Sequence, residues 1–262
     1  MKTGQKQGYW RWLGVMVMSA AMGLGAGCKS KPKAPPTMEE QVTEAHGLDT
    51  WRYQRVLRGL LFVKLESQPQ LEATFWYDVD SAKVRLELPD KTVVVYDGKQ
   101  TWVAPAASTL RNARGTYVAW AKLIAVPFRM KEAGVRLSPP AMQKLGVTEY
   151  VTAEMTFAKE NVFGADDWYI SYVDPQSHRL LALAYGKSGG GVLDDPRLIT
   201  FYDFKRVEGA QISSEWKFWR YHKEQGMYGL PVGGARLLNM EFVVPKKDVF
   251  DKPVGARADQ YQ

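Results

Sequence analysis

The chain has 262 residues, with 35 Lys and Arg against 28 Asp and Glu, and a single cysteine, Cys28. One thiol excludes an internal disulfide framework and a multi-cysteine metal site. Much of the net +7 sits at the front: Lys2, Lys6 and Arg11 precede Cys28 with no acidic residue beside them, and without residues 1–27 the balance is 32 against 28, or +4. With no basic–aromatic patch in the remainder, the charge argues against a nucleic-acid partner.

In chain order, the positive start is followed by an uncharged apolar run, Trp12 to Ala26, that ends in small residues directly before Cys28. That order is a bacterial secretion signal, and the run is too short and glycine-rich to span ~30 Å of hydrocarbon comfortably. The site resembles the lipobox of bacterial lipoproteins. Ala26 and Gly27 fit that pattern, while Gly25 stands where Leu is usual. The resemblance implies residues 1–27 as a lipoprotein signal peptide and Cys28 as the acylated, palmitate-bearing N-terminus, a membrane anchor held by more than one acyl chain. Ordinary cleaved secretion and a retained N-terminal anchor are the alternatives. Lys29 follows the cysteine, and by resemblance to enterobacterial sorting this points to the outer membrane, facing the periplasm. Residues 28–37, rich in Lys and Pro, read as a tether. Extended polyproline II would hold the following domain roughly 25–30 Å from its anchor.

Residues 38–262 read as one domain, since no second linker or repeat interrupts them. Met38 to His46 has the pattern of a short helix stopped by Gly47. A second helical stretch begins there, with Asp49 as N-cap and Leu48 stapled onto Tyr53. From Leu57 the period becomes two. Leu71, Ala73, Phe75, Tyr77 and Val79 alternate with polar residues, as do Val84, Leu86 and Leu88. Asp97-Gly98 predicts a type I′ hairpin turn between two valine-rich strands. Tyr117, Trp120, Ala121, Leu123 and Ile124 recur at helical spacing and Pro127 closes the run. Six strands follow, over Val147–Phe157, Trp168–Val173, Arg179–Tyr185, Leu198–Arg206, Ile212–His222 and Leu237–Val244. Asp174-Pro175 and Glu208-Gly209 are turns between them, and the last residues, from Val254, read as a frayed tail. The pattern is α+β, mostly β: about eleven antiparallel strands in one large curved sheet packed on a few helices.

Several segments resemble a known group. Val93 to Pro105, with its strand, Asp-Gly turn, strand and Trp, is similar to the LolA/LolB-like lipoprotein-carrier fold. Glu44–Trp51, Phe75–Leu88, Trp120–Leu137 and Asp167–Leu183 resemble more closely a bacterial lipoprotein domain of unknown function thought to share that fold. The likeness runs from Val42 to Pro245. It implies an incomplete β-barrel half-wrapped around helices, with an apolar cavity for acyl chains, in a non-enzymatic, monomeric cell-envelope protein.

On that reading the ligand, an acyl chain, lipid or lipoprotein, would be lined by Phe75, Tyr77, Val84, Leu86, Val93 and Val95 on the sheet and by Trp120, Leu123 and Ile124 above them. The alternative is a structural or assembly lipoprotein whose sheet binds another envelope protein and whose core is solid. Trp216 and Phe218 alternate with Trp219 and Tyr221, so both faces of their strand require cover. Met227, Tyr228 and Leu230 sit in a Gly/Pro-rich stretch that reads as a loop meeting a membrane or a partner. Gly186-Lys187-Ser188 lacks the upstream glycine and the following helix of a phosphate-binding loop. His46, His178 and His222 are scattered without metal-ligand spacing. No serine lies in a nucleophile elbow, so neither an enzyme nor a cofactor is expected.

Overall fold

The computed structural model describes residues 34–66, 70–158, 167–187 and 196–259. Cys28 and the signal lie outside them, as does Ser188 of the Gly-Lys-Ser stretch. Residues from Pro36 onward form one compact unit.

Two short helices open it, α1 (Met38–Ala45) and α2 (Leu48–Arg52). Thr37 caps α1 in a reciprocal box: its hydroxyl accepts from Glu40 N–H, and the Glu40 carboxylate accepts from Thr37 N–H at 3.0 Å. Gly47 joins the helices with φ +80. It, rather than Asp49, takes the N-cap place of α2. The staple is absent too, because Leu48 is buried while Tyr53 is 87% exposed.

Five strands follow: β1 (Val56–Leu65), β2 (Leu71–Asp78), β3 (Val84–Glu87), β4 (Val93–Tyr96) and β5 (Thr101–Ala104). A π-helical turn over Arg114–Val118 runs into α3 (Ala119–Ile124). Ala125 then separates α3 from α4 (Val126–Arg129), so Pro127 sits in the first turn of α4 instead of ending the helical run. The second half is strand: β6 (Val135–Leu137), β7 (Ala141–Leu145), β8 (Thr148–Phe157), β9 (Asp167–Val173), β10 (Leu180–Lys187), β11 (Arg197–Val207), β12 (Ala210–His222), β13 (Gly226–Val243) and β14 (Arg257–Ala258). Among the described residues, no helix is long and apolar enough to cross a membrane.

All strand pairs are antiparallel. The order is β14-β5-β4-β3-β2-β1-β13-β12-β11-β10-β9-β8-β6, with β7 also on β8. The end strands β14 and β6 are not paired with each other, so the sheet is open. Inward residues from both halves join the helices in one core, which means the sheet wraps around them. The fourteen strands among the described residues exceed the eleven expected. The three additions, β6, β7 and β14, are two to five residues long, too short to show a period. The C-terminal segment is not frayed as far as Asp259, which is 2% exposed, accepts from Arg114 N–H and donates its own N–H to the Thr101 carbonyl at 2.8 Å.

Gly98 has φ +98 but Lys99 has no positive φ, a pattern of type II′ rather than I′. The β11–β12 turn, Glu208-Gly209, has positive φ at both residues and is the type I′ turn.

Both faces of β12 are covered, by different things. Trp216 and Phe218 enter the main core. Tyr221 belongs to a second cluster on the other face, with Trp168, Tyr172 and Leu198, against which Trp219 and Met227 pack. There the Tyr172 and Tyr221 hydroxyls bond at 2.9 Å. The expected loop over Met227 to Val232 is strand β13 instead. Met227 is half-buried, while Tyr228 is 46% and Leu230 81% exposed.

Candidate ligand site

Cross-strand register fixes which side chains meet the helices. Leu57, Tyr77, Val84, Tyr96 and Thr101 pair in one row across β1 to β5, and Gly59, Phe75, Leu86, Val94 and Val103 in the next. Gly59 leaves the room that the Phe75 ring fills: a Cβ there would lie 2.9 Å from it. Of the predicted lining, Phe75, Tyr77, Val84 and Leu86 are therefore inward and fully buried. Val93 and Val95 are not on that face. They pair with Glu87 and Arg85, which puts them outside, where Arg85 also donates to the Val249 carbonyl of the C-terminal segment. The run of three valines hid which of them alternated inward.

The inward face of this wing is solidly packed. Trp51 stacks on Phe128 of α4 with ring centroids 4.0 Å apart. The Arg129 guanidinium lies 5.7 Å from the Tyr77 ring and donates to the Val79 carbonyl. Lys122 Nζ lies 4.2 Å from the Tyr96 ring.

Space remains under the other wing. A cavity of about 20 Å³ lies between the helices and β10–β12. Leu123 and Ile124 of α3 and Pro127 of α4 form its roof. Phe201 and Phe204 of β11, Ile212 and Trp216 of β12, and Leu180 of β10 form its floor. Its size matches about one water molecule. Thus Leu123 and Ile124 line it, whereas the predicted residues on β2 to β4 do not. Trp120 lies beside it on α3, its ring 5.0 Å from Phe218.

His46, at the C-cap of α1, closes one side. Its Nδ1–H donates to the Gln211 carbonyl at 2.9 Å, and its Nε2 accepts Leu180 N–H at 3.1 Å. The backbone returns the contact, Gln211 N–H donating to the His46 carbonyl. These bonds fix one neutral tautomer and tie the helical elbow to β10 and β12. Burial pushes the imidazole down to about 4, partly opposed by the Gln211 bond and aided by the positive charge of Arg179. The elbow fits closely, for a Cβ on Gly47 would lie 2.5 Å from the Gly209 carbonyl oxygen.

The other polar lining groups are Ser213, whose hydroxyl donates to the Tyr202 carbonyl at 2.7 Å, and Gln211. Sequence reasoning placed neither Trp216 nor His46 at a site. The double-sided aromatic pattern of β12 was the available signal.

No family model matches the sequence, and no curated protein matches it. Solved structures do. A LolA superfamily protein from Nitrosomonas europaea is 11% identical, covers 83% of this chain and 99% of its own, and superposes with a TM-score of 0.54. A domain of a putative outer membrane lipoprotein-sorting protein from Vibrio parahaemolyticus is 11% identical, covers 81% and 95%, and gives 0.51. A DUF1329 family protein from Desulfovibrio piger, 12% identical over 83% and 98%, gives 0.48. At such identities the likeness establishes the fold, which is LolA-like.

Proposed function

We propose that this protein is a non-enzymatic envelope lipoprotein, anchored through an acylated Cys28, that takes an acylated ligand between α3–α4 and the inner face of β10–β12. Residues 28–37 serve as its tether, the periplasmic face of the outer membrane as its place, and the monomer as its working form. A fold of the lipid-carrier type supports the reading. The observation that carries it is the apolar cavity roofed by Leu123, Ile124 and Pro127.

That cavity is small, so an acyl chain has to displace its roof. The roof suits this. α3 and α4 are six and four residues long, and neither has a side-chain N-cap bond. Helices of that length hold together through packing rather than by themselves. Methylenes entering beneath them replace that packing at about 0.8 kcal/mol each.

The test is titration of a fluorescent acyl ester into the chain lacking residues 1–27 and carrying Cys28→Ser. Saturable binding at micromolar concentration or tighter is expected, and Ile212→Glu should remove it by placing an unpaired charge at the floor. Absence of saturable binding by the unmutated domain contradicts the reading. It would favour the second one, a protein-binding lipoprotein. The exposed Tyr228 and Leu230, together with Val147 at 98% exposure, speak for that alternative.

A further inference from the structure

One residue that lines the cavity carries a buried polar group with no partner among the described residues. Trp216 is 2% exposed, lines the cavity, and its indole N–H is buried without an acceptor. Two other tryptophans show the usual outcome: Trp219 donates to the Thr200 hydroxyl at 2.9 Å and Trp102 to the Asp97 carboxylate at 2.7 Å. A buried donor without a partner costs stability, so an indole held that way calls for an acceptor that arrives from outside the chain.

The remaining buried polar side-chain atoms without partners, among the described residues, lie elsewhere. Tyr77 and Arg129 face each other, and Thr101 and Asp259 meet at the β5–β14 edge. Two polar neighbours of Trp216 at the cavity, His46 and Ser213, are already engaged through the bonds that hold them in place. His46 uses both ring nitrogens, and the Ser213 proton is taken by the Tyr202 carbonyl.

We infer that the Trp216 indole N–H is the recognition donor for the carbonyl oxygen of an acyl ester or amide, so that the site selects acyl carbonyl compounds over plain hydrocarbon. This rests on the acyl-binding reading above and specifies the ligand's polar end. The lining also decides against a carboxylate or phosphate. No lysine or arginine lines the cavity among the described residues, and His46 is neutral at pH 7. Arg179 lies outside the lining, over the Phe204 ring at 5.1 Å with its Nε on Ser177. No charged group in the lining would thus offset a buried anion, whereas a neutral carbonyl needs one donor and finds one.

Glycerides and N-acylated peptides share this carbonyl, and the experiment separates them. Methyl palmitate, N-palmitoylglycine amide and octadecane compete with a fluorescent acyl probe on the Cys28→Ser chain lacking residues 1–27. The whole core lies from Pro36 onward, so that truncation leaves it intact. Ester and amide should both outcompete the hydrocarbon, the tighter of the two identifying the source. Trp216→Phe keeps the ring and removes the donor. It should weaken ester and amide binding about tenfold and leave octadecane unchanged. Equal binding of ester, amide and hydrocarbon by the unmutated chain overturns the inference without using a variant. So does a Trp216→Phe chain that binds the ester as before, although acyl binding itself then stands. Failure of every probe on the unmutated chain overturns both.

Discussion

The two wings of the sheet use the same kind of residues to different ends. On β2 and β3 buried apolar residues alternate with more exposed ones, the inward rows of β1 to β5 are buried, and the C-terminal segment reaches the outer face. On β9 to β12 part of the outer face is apolar as well as the inner one. One face carries a separate aromatic cluster, and the other meets the helices with space left over and a tryptophan donor unpaired. The alternation of β2 and β3 therefore belongs to the wing that is packed solid. The double-sided aromatic pattern of β12 belongs to the wing where we propose that a ligand binds.

That contrast can be broken by measuring packing. Phe75→Ala should cost about 4 kcal/mol in denaturant unfolding, since the ring fills a close-packed site against Gly59. Leu123→Ala, at a roof that already borders space, should cost about 2 kcal/mol. Equal costs would remove the distinction between the wings.

The elbow bound to the second wing sharpens it through pH. His46 is neutral when folded and titrates near 4, against 6.5 when unfolded. Between those values the unfolded chain binds the extra proton, so stability is complete above about pH 6.5 and declines as pH falls towards 4. The loss amounts to about 3 kcal/mol from this one group. His46→Ala should lower stability at pH 7 and flatten the slope in that window. A slope that survives the substitution would assign the pH dependence to other groups.

A smaller effect concerns the same joint. Gly47→Ala places a Cβ against the Gly209 carbonyl at a positive φ, and should cost about 2 kcal/mol with little change in the first wing's hydrogen-exchange protection. Smallest is the outer cluster: Tyr172→Phe removes the bond between the Tyr172 and Tyr221 hydroxyls, at about 1 kcal/mol by thermal unfolding. No change would mean that this cluster is held by apolar contact alone.

The sequence carried most of the long strands, because period-two alternation survives wherever one face is wet, as in Leu71 to Tyr77. It carried α1 and the break at Gly47 as well. It did not carry β6, β7 or β14, which are too short to show a period. Nor did it carry the pairing of Val94 with Leu86, since three consecutive valines have no phase. Met227 to Val232 looked like a loop because Gly and Pro are frequent there, yet the start of β13 can use them where it runs partly exposed. Of the site, Leu123 and Ile124 were legible from helical spacing. The floor was not, because which wing the helices leave loosely covered is decided by register and by the His46–Gln211 docking, neither of which leaves a local mark.

The central claim is that the ligand enters the second wing. A photoactivatable palmitoyl ester, cross-linked to the chain from residue 28 and mapped by peptide mass spectrometry, tests it directly. The account predicts labels on α3–α4, β11 and β12, around Leu123, Phe201 and Trp216. Labels on the inward residues of β2 to β4, around Phe75 and Leu86, would contradict it.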